Sequence, residues 1–213
     1  MANTFNPFGF AHLGSADGAP ANFAQRQVAI SSGNATAIFY GDPVKQLNTG
    51  YIAQWSAGTA VSQLVGIFVG CTYNNSVGGG VTRSRYWPGS GAAGDVTALV
   101  IPCIYGATPA QFLVQTGNSA GGATAFAAAD VGKNIDVALG TGSTATGISG
   151  AYADQNTEGT TATLPFRIVG LWTGGILNPS VFAPWGGTGN GSDLTTASNY
   201  VVVEANIIQA TGI

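Results

Sequence analysis

One imidazole, two thiols and nine carboxylates are the whole stock of groups that could carry acid–base, nucleophilic or metal chemistry in this 213-residue chain. A serine nucleophile would have to be activated through His12, and a general base must be held within hydrogen-bond reach of the proton it takes. His12 lies in a segment with neither helical nor strand period, a poor place to hold it. A zinc site would have to gather His12, Cys71 and Cys103, which show no CxxC or HxxxH spacing. A pair of carboxylates for glycoside hydrolysis would come from the seven Asp and two Glu, of which Asp17, Asp42, Asp95, Asp130, Asp154 and Asp193 each sit beside Gly, Ala or Ser in turn-like sequence. There, capping and Asx turns are the ordinary use. Glu204, inside Val201-Val-Val-Glu-Ala, points opposite Val203, to the outside of the last strand.

Gly140-Thr-Gly-Ser-Thr-Ala145 follows a strand-like run and imitates a dinucleotide fingerprint. Gly147 and Gly150 stand where the helix should begin, and no acidic residue follows at a strand end about twenty positions on. No catalytic constellation emerges, and no cofactor or metal is expected. Arg83-Ser-Arg85 is the sole basic doublet. Strand alternation puts both guanidinium groups on one face, with Ser84 and Tyr86 opposite. They are either solvated strand charges or partners for an acidic surface elsewhere.

The elements that must position these groups read as β. Only 7% of the residues are charged and 33 are glycine, against about a quarter charged in an ordinary domain. Candidate strands are 25–30, 36–40, 44–47, 51–55, 65–73, 81–87, 96–104, 111–116, 133–139, 164–171 and 200–208. They are β-branched or aromatic and punctuated by turn residues roughly every ten positions, as in a barrel or sandwich. Gly41-Asp-Pro43 reads as a turn, and Gly78-Gly-Gly80 as a hairpin tip between 65–73 and 81–87. The one helix candidate is the Ala-rich stretch 122–132, with Gly132 as its stop. Cys71 and Cys103 sit in apolar runs and read as buried free thiols, with a disulfide between them as the alternative.

Residues 1–24 read as an extended N-terminal arm, followed by a β-domain over 25–213. Phe5, Phe8, Phe10 and Phe23 are spread along the arm among Asn, Pro and Gly, and such aromatics need something to bury them. The arm lies either across its own domain or across a neighbouring subunit. A second aromatic segment, 172–199, carries Trp172, Phe182 and Trp185 in a Gly/Pro/Asn-rich loop. A long loop of this kind is usually a contact element. Six basic residues with no cluster argue against nucleic acid or a membrane surface as partner. The longest apolar stretch, 64–71, is too short to span a bilayer, and the N-terminus lacks the pattern of a signal peptide.

The order of several motifs resembles that of small structural proteins encoded beside the major capsid gene in tailed bacteriophages. They are Asn6-Pro-Phe-Gly-Phe10 with His12-Leu-Gly, Gly41-Asp-Pro-Val44, Gly66-Ile-Phe-Val-Gly70 and Ser84-Arg-Tyr-Trp-Pro88. Ala129-Asp-Val-Gly-Lys133, Gly140-Thr-Gly-Ser143 and Leu164-Pro-Phe-Arg-Ile-Val-Gly-Leu171 follow. The similarity covers most of the chain apart from 172–199. It implies a β-rich head decoration or cement protein on the capsid exterior, made in the host bacterial cytoplasm, with the major capsid protein as partner. It also implies self-association as a dimer or trimer.

On that reading Phe5, Phe8 and Phe10 anchor the arm, Arg83 and Arg85 are polar contacts, and Trp172, Phe182 and Trp185 are loop contacts. Removing 1–24 is then expected to weaken capsid binding and leave the β-domain folded. The alternative is a receptor- or glycan-binding fibre head, with Trp172, Trp185 and Tyr200 as a sugar-stacking platform.

Overall fold

The computed structural model describes residues 3–21, 24–105, 108–172 and 194–206. The fold is all-β, as expected, and the described residues contain no helix beyond single 3-10 turns at Val61–Gln63 and Ala128–Asp130. Strand β1 (Ala11–Ser15) leads into β2 (Arg26–Ile30), β3 (Pro43–Gln46), β4 (Ile52–Gln54), β5 (Leu64–Asn74), β6 (Val81–Ser84) and β7 (Val96–Pro102). A short β8 (Ile104–Tyr105) precedes β9 (Thr108–Gly117), β10 (Asn134–Gly140), β11 (Gly150–Gly159), β12 (Phe166–Trp172) and β13 (Tyr200–Ala205).

The last five strands close on themselves in the order β9-β11-β10-β12-β13 and back to β9. Closure removes the free edges that an open sheet would expose. Strand β9 is long enough to serve four partners, with β8 on its first two residues. Its 111–115 stretch pairs with β13, its 110–113 stretch pairs with β1 on the other side, and only Thr116 and Gly117 reach β11. That last contact is parallel and two residue pairs long, as short as the pairing of β10 with β12.

Alternation fills the interior. Along β13, Val201, Val203 and Ala205 are buried while Tyr200, Val202 and Glu204 face outward, so Glu204 lies opposite Val203 as its position implies. Phe112, Val114, Ile135, Val137, Phe166 and Ile168 join the same core. On β11 the buried apolar residues are only Ala151 and Ala153, small enough for a five-stranded barrel to close over Phe112 and Phe166.

Strands β2 to β7 form an open sheet, in the order β2-β7-β5-β3-β4, with β6 beside the second half of β5. Both faces of this sheet are covered. Ile67 and Ile101 face the barrel core, whereas the adjacent Phe68 and Val100 belong to a second core with Ile30, Ile38, Val44, Ile52 and Trp87. Two buried faces account for the unbroken apolar run at 64–71. Each core holds one fully buried tryptophan whose N–H is satisfied. Trp55 donates to Asp136 Oδ1 at 2.9 Å, and Trp87 to the Asn34 carbonyl at 3.0 Å. The free thiols lie one in each core, Cys103 in the first and Cys71 in the second.

The Gly41-Asp-Pro43 turn is the junction between sheet and barrel. Gly41 has φ +94°, and a Cβ there would stand 2.8 Å from the Phe8 carbonyl oxygen, so only glycine fits. Gly41 donates its N–H to Phe68 of β5 and accepts from Phe10. Asp42, 2% exposed, accepts from Phe39 N–H, Gln54 Nε2 and Ser149 Oγ, the last just before β11.

Residues 3–21 lie across their own domain, one of the two places open to the arm, through β1 on β9 and a strap over 3–10. Three expectations are corrected. Phe10 is 3% exposed and stacks on Phe166 at 4.8 Å, so it is a core residue with no surface left for a partner. The Ala-rich 122–132 stretch is not a helix. Gly121 and Gly122 are left-handed at its start, and Asn199 bonds both the N–H and C=O of Phe126, holding it extended in the core. Only one 3-10 turn remains, ended by Gly132 at φ +95°. Residues 36–40 make isolated bridges, Ile38 to Trp87 and Tyr40 to Ile148, instead of a strand.

Candidate interaction surface

The most exposed large apolar side chains among the described residues are at the β5–β6 hairpin, where Val77 is 82% and Val81 68% exposed. As its glycines suggest, 78–80 form the tip of that hairpin, with Asn75 Oδ1 accepting the Val77 N–H. From Val81 to Tyr86 exposure alternates. Val81, Arg83 and Arg85 face solvent, and Thr82, Ser84 and Tyr86 are half-buried. The two arginines therefore share a face, as alternation predicts. Neither has a carboxylate partner among the described residues. Arg85 lies over the Tyr40 ring at 4.8 Å, and next to it Phe39 and Tyr86 stack at 5.3 Å.

The strap is a second, separate place. Gln115, wholly buried, accepts Asn6 N–H through Oε1 and donates Nε2 to the carbonyls of Thr4 and Ser198. Phe5 is 50% exposed and meets Tyr152 edge-on at 5.1 Å. Gly117 lies beneath both rings, and a Cβ there would come within 2.7 Å of each. Phe8 stacks on Tyr200 at 5.9 Å, so one face of Tyr200 is covered by this chain. Trp172 ends β12 opposite Tyr200, half-buried. Phe182 and Trp185 lie outside the described residues, as does most of the 172–199 loop, and so does Phe23.

The groups weighed for chemistry are tied into the fold. His12 sits on β1 with Nε2 donating to the Gly14 carbonyl, and burial lowers its pKa. Asp42 is held at the junction, where burial raises its pKa against the pull of the Ser149, Phe39 and Gln54 donors. Asp154 accepts from Ser119 N–H, Ser119 Oγ and Asn156 N–H. Asp136 receives Trp55 Nε1 and Gly58 N–H, joining barrel to open sheet. Lys133 bridges Asp130 and Glu158, and its hydrogen bonds to Asp130 and then Glu158 raise its pKa. A lysine so paired is a held cation, not a nucleophile. Among the described residues no three His, Cys, Asp or Glu side chains gather as metal ligands, and no helix is long and apolar enough to cross a membrane.

Neither Gln115 nor the exposed valines were marked by sequence. Gln115 follows the apolar Phe112-Leu-Val114 run of β9, where an amide is the signal of a buried bonding role. Val77 and Val81 flank the glycine triplet, which draws attention to the turn and away from its neighbours. No protein-family model matches the chain, and neither a curated protein sequence nor a solved structure does.

Proposed function

We propose that this protein is a virion structural protein that binds the outside of a tailed-phage capsid and stabilises it by bridging major capsid protein subunits. The observation that carries this reading is the β5–β6 hairpin, where exposed valines stand beside two exposed arginines that have no carboxylate partner among the described residues, in an otherwise charge-poor chain. The order of motifs quoted above supports the same reading. Each bound copy stabilises the assembled shell because it binds that state and not free subunits. Neutral, apolar-leaning surface is buried at low desolvation cost. Self-association about a local symmetry axis belongs to the proposal.

The fibre-head alternative is the weaker reading, because Phe8 already occupies a face of Tyr200 that a sugar ring would need. The test is to mix purified protein with assembled shells that lack it, sediment them and image the particles. Regular added density over the outer shell is expected. Density only at tail tips, or none on the shell, would overturn the proposal. Deletion of residues 1–24 is no longer the right companion variant, since it would remove Phe10 from the core and β1 from β9. A chain starting at Gly9 removes Phe5 and Phe8 and keeps both.

A further inference from the structure

The hairpin has a usable backbone edge as well as exposed side chains. Asn75 donates to the Gly80 carbonyl at 2.8 Å, and the register continues through Asn74↔Val81, Tyr73↔Thr82, Thr72↔Arg83 and Cys71↔Ser84. Antiparallel pairs alternate between bonded and non-bonded. With Asn75 and Gly80 a bonded pair, Thr82 and Ser84 bond to β5. Val81 and Arg83 then direct their N–H and C=O groups away from it. Strand β6 pairs with β5 alone among the described residues, so those groups lie on an open edge.

An open edge is a template for another strand. Its side chains state what that strand must carry. Val81 and Arg83 project from β6 on one face, and Arg85, exposed in the bend that follows the strand, lies over the Tyr40 ring. We propose that the outer edge of β6 docks an extended acidic segment of a partner protein. The segment adds antiparallel, with a carboxylate opposite Arg83, a second in reach of the Arg85 guanidinium just beyond the end of β6, and an apolar side chain opposite Val81. Read from its N-terminus, the segment has the form acidic-x-acidic-x-apolar. A second copy of β6 is the wrong occupant, because it would bring four guanidinium groups to one edge. This deepens the shell-binding reading and rests on it only for the identity of the partner.

The probe is a blocked heptapeptide, Thr-Glu-Thr-Glu-Thr-Val-Thr, titrated into the labelled full chain by amide NMR. Shifts centred on residues 81–85 are expected, with slowed amide exchange at Val81 and Arg83 and little change at Thr82 and Ser84. Arg83→Glu with Arg85→Glu, both at exposed positions, should weaken binding about ten-fold or more as two charge pairs turn repulsive. The same peptide with Lys in place of Glu should then bind the charge-reversed protein. The proposal is overturned if the acidic peptide does not bind, binds elsewhere, or binds the charge-reversed protein equally well. Concentration-dependent self-association through β6 would overturn it too. If the protein coats shells while the peptide fails, strand addition is wrong and the shell-binding reading stands. If the peptide binds and shells do not, the reverse holds.

Discussion

Replacing Gln115 with Leu keeps the volume of a buried side chain and deletes a group that makes three of the hydrogen bonds around the strap. The amide makes three hydrogen bonds, with Asn6 N–H at 2.9 Å, the Thr4 carbonyl at 2.8 Å and the Ser198 carbonyl at 3.0 Å. Thr4 and Asn6 are exposed and can turn to water, so each loss there costs about 0.5–1.5 kcal/mol. Ser198 is 7% exposed, and a carbonyl stranded in such a place costs about 1–3 kcal/mol. The sum is a loss of about 2–6 kcal/mol, read from urea unfolding at unchanged m. The control is a double-mutant cycle with the chain starting at Gly9, in which Thr4 and Asn6 are already gone. There Gln115→Leu should cost about 1–3 kcal/mol less. A loss under about 0.5 kcal/mol in the full chain, or equal losses in both backgrounds, would show that Gln115 does not hold the strap.

Asp42 gives a pH dependence. Its pKa is raised in the fold by burial, so its contribution is whole below the unfolded carboxylate value and fades as pH rises through the folded one. Asp42→Asn leaves an amide N–H against the Phe39 or Gln54 donor and should cost about 1–3 kcal/mol at low pH. The gap to wild type should narrow from acid to neutral, and a gap that widens would refute the assignment. The thiols give a kinetic prediction. Burial pushes Cys71 up to about 12 and Cys103 higher still. Ellman's reagent at pH 8 should leave both untouched in native protein and titrate both in denaturant, and rapid labelling of either thiol in the native state would refute their burial.

How much of this was legible depends on what each strand must bury. Strands β5, β7 and β13 announce themselves because they carry Val, Ile and Phe against a core, and their limits fall within a few residues of the expected ones. Strand β11 was missed because its inward side chains are Ala151 and Ala153 and its second half, Asp154–Glu158, is polar. The barrel needs small residues there, and small residues carry no strand signal. The supposed helix fails for the opposite reason. Its alanines favour helix locally, but burying Phe126 and bonding it to Asn199 favours extended chain, and tertiary packing overrides propensity. The arginines were legible as a pair sharing a face. Their open edge was not, because it depends on which strand β6 leaves unpaired.

The strap has a consequence for the time order of folding. Asn3 bonds the carbonyls of Thr196 and Ala197, and Gln115 holds Thr4, Asn6 and Ser198 together. The binding place of residues 3–6 is therefore incomplete until residue 198 has emerged. Chain closure of that span is slow and comes late. The same segment is the natural first piece to peel away, so a protease directed at residues 3–8 would clock the opening of the barrel before any core strand is lost.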